Sequence, residues 1–86
     1  MLQGLSTAVD QQFTAWGLTP AEKMVGRLLL KGLSLKEAAE VRQTSERTVR
    51  QQAQELYRKA SIGGRAELSA FFFEDFLLPV PPSSDT

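Results

Sequence analysis

The sequence predicts an all-α chain of five helices joined by short links. Three observations predict it. Apolar residues recur at helical spacing almost throughout, no strand-like alternation survives for long, and side-chain caps and glycine stops mark the helix ends. At 86 residues, 42% hydrophobic and 23% charged, the chain holds one domain at most and reads as folded.

Residues 5–16 form the first predicted helix, an extra N-terminal one, with Leu5, Val9, Phe13 and Trp16 at helical spacing. The second opens at Thr19-Pro20-Ala21-Glu22, a capping box with proline at the first helical position. The threonine hydroxyl accepts from the backbone N–H of residue 22, and the glutamate reaches back to residue 19. This helix carries Val25, Leu28 and Leu29 and stops at Lys31-Gly32, a basic last turn followed by a terminating glycine. Ser34-Leu35-Lys36-Glu37 is a second capping box, opening a short helix at 35–42 through Ala38, Ala39 and Val41. Ser45 caps a fourth helix at 46–60. The last predicted helix runs from near Arg65 to Leu78 and is halted by Pro79. Residues 79–86 lack an apolar period and are expected to be a disordered tail.

Composition removes most chemistry. The chain has no His and no Cys, which excludes catalytic triads, Cys–His dyads, Cys/His zinc sites, thiol redox chemistry and disulfides. An enzyme is not expected, nor a metal or cofactor. The longest apolar stretches are broken by Arg27 and by Glu74-Asp75, far short of the ~18–20 residues a bilayer demands. The N-terminus lacks a signal-peptide profile, so a reducing, cytoplasmic setting and no membrane contact are expected.

The helices at 35–42 and 46–60 carry the functional expectation. A link as short as Gln43-Thr44-Ser45 predicts a steep crossing, the helix-turn-helix arrangement in which the second helix enters a DNA major groove. That second helix divides into two stripes. Val49, Ala53, Leu56 and Ala60 form a core stripe with Tyr57 at its margin; Arg47, Arg50, Gln51, Gln54 and Arg58 form the opposite one. Arg forms two-pronged hydrogen bonds with guanine and Gln with adenine. Charge is polarised to match. Residues 22–59 hold nine basic and five acidic side chains, while the flanks hold one basic and five acidic, so a formal net charge of zero hides a basic centre.

Leu18-Thr19-Pro20-Ala21-Glu22, the run Gly32-Leu33-Ser34-Leu35-Lys36-Glu37-Ala38-Ala39, Thr48-Val49, Arg58-Lys59 and Arg65-Ala66-Glu67 together resemble the LuxR/GerE-type DNA-binding domain of bacterial transcription regulators. The resemblance covers residues 18–78, with 1–17 as an N-terminal linker or extra helix. It implies a four-helix helix-turn-helix domain whose third helix, here 46–60, reads the major groove, and whose fourth packs against its mate in a homodimer. Carried over by position, base contacts fall to Arg50, Gln51 and Gln54, and phosphate contacts to Lys36, Arg47, Thr48 and Lys59. The implied partners are double-stranded DNA, a second copy, and an N-terminal regulatory domain or RNA polymerase. The aromatic run Phe71, Phe72, Phe73 with Phe76 cannot all face a small core, because consecutive helical residues point about 100° apart, so part of it is assigned to the dimer interface.

The chain departs from the family pattern at several places. Gln43 stands where glycine would adopt positive φ, and Arg42 replaces an apolar residue, so Val41 is expected to take over its core contact. Gln52 stands in place of a common His, and Gly26 in place of a common Leu. Two other readings stay open: a helical protein-interaction module with little DNA affinity, and a sigma-factor-like promoter reader that requires RNA polymerase.

Overall fold

The structure, a computed structural model, describes residues 2–74. It is all-α: five helices and no strand among the described residues. They are α1 (Leu2–Ala15), α2 (Pro20–Leu30), α3 (Leu35–Arg42), α4 (Glu46–Ala60) and α5 (Arg65–Phe72).

The caps legible in the sequence are formed. Thr19 Oγ1 accepts from the Glu22 N–H at 3.2 Å while Glu22 Oε1 accepts from the Thr19 N–H at 2.9 Å, and Ser34 and Glu37 repeat the exchange at 3.0 and 2.8 Å. Ser45 Oγ accepts from the Thr48 N–H at 3.1 Å at the start of α4. Each satisfies amide donors that a helix start leaves unpaired. Gln43 adopts the left-handed conformation at φ 55° that its place after α3 requires, and Ser61 does the same after α4 at φ 58°. The amide of Thr44 then closes back onto the Ala39 carbonyl at 3.0 Å, turning the chain into α4 within three residues.

α2 is the hub, packing against α3, α4 and α5. Val25 and Leu29 meet Val49, Ala53 and Leu56 of α4 and Leu68 and Phe72 of α5 in one core, with Ala38 and Ala39 closing it from α3. Ala60 is half-buried at the end of the α4 stripe, and Tyr57 lines its margin.

The extra N-terminal helix belongs to that core. Phe13 is wholly buried. Its ring lies against Gly26, where an added Cβ would come within 2.8 Å of Phe13 Cζ and 2.9 Å of Leu56 Cδ1. The space beside Gly26 is thus filled by an aromatic ring from α1. Phe13 meets Phe72 edge-on at 5.6 Å, and the Trp16 ring lies tilted at 5.2 Å from Phe71 and edge-on at 5.8 Å from Phe72. Asp10 pairs with Arg27 and, at 3.6 Å, with Lys23, fixing α1 along α2. The Leu5 side chain lies outside the described ones.

Two residues sit differently from expectation. Phe72, assigned to the dimer interface, is 4% exposed and clamped between Phe13, Trp16 and Phe71 in the core. Val41 does not take over a core contact, because at 61% exposed it points away from the interior. Arg42 is tied down by polar bonds instead, its Nη1 donating to the Ala21 carbonyl at 3.1 Å and to Gln52 Oε1 at 3.5 Å. The α-helical geometry of α5 ends at Phe72, and the expected continuation to Leu78, with Phe76 and the 79–86 tail, lies outside the described residues.

Candidate nucleic-acid interface

The amphipathic division of α4 decides what this helix can offer. Val49, Ala53 and Leu56 are buried, whereas Arg47, Arg50, Gln51, Gln54 and Arg58 are exposed on the other side. The buried stripe anchors the helix along its length, so the exposed one is held on a rigid element. Arg47, Gln51 and Gln54 make no side-chain hydrogen bond within the described residues, leaving their donors and acceptors to solvent or a ligand. Arg50 Nη2 pairs with Glu46 Oε2 at 2.8 Å, one turn earlier. Arg58 grips Glu55 with two bonds, Nη2 at 2.7 Å and Nε at 3.1 Å. The hydrogen bond from Arg58, with the charges of Arg58 and Lys59, holds the Glu55 carboxyl below its usual range, and the hydrogen bond to Glu55 with its negative charge raises the Arg58 guanidinium above its own. Exposed pairs of this kind contribute little to stability, and both guanidinium groups stay open to solvent.

Beside this stripe, Lys36 is exposed in the first turn of α3. Thr48 is half-buried in the first turn of α4, its hydroxyl accepting from Ser45 Oγ at 3.0 Å. Arg47 and Thr48 therefore follow the short turn in the first turn of α4, with Arg50, Gln51 and Gln54 further along it, while Lys36 lies at the opposite end of α3 from that turn.

Lys59 is the exception. The family resemblance implies a phosphate contact for it, but its ammonium is drawn inward, donating to Glu22 Oε1 at 2.8 Å and to the Gly17 carbonyl at 3.3 Å. Glu22 is buried at 6% exposure, so this pair bolts the end of α4 to the start of α2. Burial opposes ionisation of Glu22, but the hydrogen bond from Lys59, the Thr19 N–H and the Lys59 charge outweigh it and hold the carboxyl below its usual range. The local sequence signals Glu22 only as a helix cap. The second role is set by a residue 37 positions away.

No family model, curated protein or solved structure matches this chain. Its own geometry therefore carries the functional reading. Among the described residues no cluster of carboxylates is arranged to hold a metal ion, and no helix is long and apolar enough to cross a membrane. Of the aromatic residues assigned to an interface, Phe73 is exposed, Phe71 is half-buried against Trp16, and Phe72 is internal.

Proposed function

We propose that this chain is a sequence-specific DNA-binding domain of the LuxR/GerE type, acting in bacterial transcription regulation with α4 in the major groove. The observation that carries this reading is the exposed stripe Arg47, Arg50, Gln51 and Gln54 on a helix anchored by its opposite face and reached through a three-residue turn. Arg50, Gln51 and Gln54 read base edges, while Lys36, Arg47 and Thr48 seat the helix pair on the backbone. Lys59 acts as a brace for α4.

Two copies bind half-sites about one helical turn apart, with Phe73 at their contact. The neutral overall charge limits non-specific attraction, so one copy binds weakly and pairing supplies useful affinity.

Selecting bound sequences from a random duplex pool, followed by mobility shifts at two salt concentrations, tests the reading. A recovered motif whose complex weakens with salt is the expected outcome. Absence of any salt-dependent complex overturns it in favour of a protein-interaction module.

A further inference from the structure

A second face of α2 is left largely open among the described residues. Met24, Arg27, Leu28 and Lys31 follow one another at helical spacing on it, turned aside from the core face of Glu22, Val25, Gly26 and Leu29. Together with Val41 and Arg42 from the last turn of α3 they line an open groove of about 290 Å³. Met24 is 47% exposed and Val41 61%, so the groove contains two of the large apolar side chains that the described part of the molecule leaves most open to water.

Its charge is one-sided. Arg27 is balanced by Asp10, but no carboxylate among the described residues pairs with Lys31 or Arg42. Arg42 is held in place by two neutral acceptors, the Ala21 carbonyl and the Gln52 amide, which orient the guanidinium without cancelling its charge. An apolar floor between two fixed helices with uncompensated cations at its edge is the complement of an amphipathic helix bearing carboxylates. The volume lies at the bottom of the range for small-molecule pockets, about 300–1,000 Å³, and the apolar floor suits neither phosphate nor sugar.

We propose that the groove between α2 and the end of α3 docks an acidic amphipathic helix of a partner protein, its apolar side chains on Met24, Leu28 and Val41 and its carboxylates toward Lys31 and Arg42. The docking site is separate from the exposed stripe of α4, and the proposal does not rest on the DNA-binding reading. None of Arg50, Gln51 and Gln54 lines the groove.

Methyl-detected NMR on the full chain tests it with two synthetic helical peptides. Both carry Leu and Phe on one face; one has flanking Glu residues and the other has Lys at the same positions. The acidic peptide is expected to shift the Met24, Leu28 and Val41 methyl signals in a saturable, salt-sensitive way, and the Lys peptide to leave them in place. Lys31→Glu and Val41→Ser, both at exposed positions, should each weaken the acidic peptide by roughly tenfold while the helical circular dichroism signal is kept. Equal binding of the two peptides, shifts confined to other surfaces, or undiminished affinity in both variants overturns the proposal. So does duplex DNA that displaces the acidic peptide, since the groove would then belong to the nucleic-acid face.

Discussion

The two ends of α4 carry the same kind of residue in opposite roles. Near its start, Arg47 and Arg50 stand in solvent, one without a partner among the described residues and the other in an exposed pair with Glu46. Near its end, Lys59 is folded inward onto a buried carboxylate. A basic residue on an amphipathic helix is therefore not a contact by virtue of its charge. What lies within reach of its tip decides, and at Lys59 that is the first turn of α2. Each region makes its own measurable claim: changes at the α1–α2–α4 seam should cost stability, and changes on the stripe should cost ligand binding alone.

The largest effect is expected at Phe13. Truncation to alanine removes a fully buried ring from between Gly26, Leu56 and Phe72 and should lower unfolding free energy by about 3–5 kcal/mol. Chemical denaturation measures this directly. Gly26→Ala probes the seam from the other side, where the new methyl would overlap Phe13 and Leu56. It should cost about 1–3 kcal/mol, with part recovered when Phe13→Leu is added. A freely tolerated Phe13→Ala would mean that α1 is an appendage, not a part of the core.

Next comes the brace. Lys59→Met strands the Glu22 carboxylate and should destabilise the domain by about 2–3 kcal/mol, leaving the salt slope of DNA binding by the folded protein unchanged. The pH dependence has a defined sign. Because the folded-state pKa of Glu22 is lowered, its contribution is complete above the unfolded value near 4.5 and is lost as pH falls through the folded value. Glu22→Gln should flatten that acid limb. Arg50→Ala, by contrast, should change stability by no more than about 0.5 kcal/mol yet cost about 1–3 kcal/mol on a selected DNA site and relax preference at one base pair. Equal losses on selected and random DNA would remove Arg50 from the base-reading set.

Helix positions were legible because their signals are local. Both capping boxes, the Ser45 cap and the 46–60 boundaries depend on residues within four positions of one another, and the stripe on α4 is a property of one helix. The failures involve distant partners. Nothing near Lys59 announces Glu22, nothing near Gly26 announces Phe13, and three adjacent phenylalanines cannot be divided between core and surface until α1 is placed against them. Val41 failed for a related reason. Arg42 kept its position through hydrogen bonds to Ala21 and Gln52, leaving no apolar vacancy for Val41 to fill.

The smallest predicted effect lies at the turn between the end of α3 and the start of α4. Gln43 holds φ 55° without being glycine, a conformation that carries a Cβ penalty on the order of 1 kcal/mol. Gln43→Gly removes that penalty but gives the unfolded chain more freedom to lose, so the net gain in stability should be only about 0.5 kcal/mol. Its effect on binding distinguishes two uses of the turn. If residue 43 only reverses the chain, DNA affinity on a selected site stays constant as stability rises. If instead the side chain rigidifies the approach of α4, the glycine variant gains stability and loses affinity, and the turn joins the exposed stripe as a determinant of how the helix is presented.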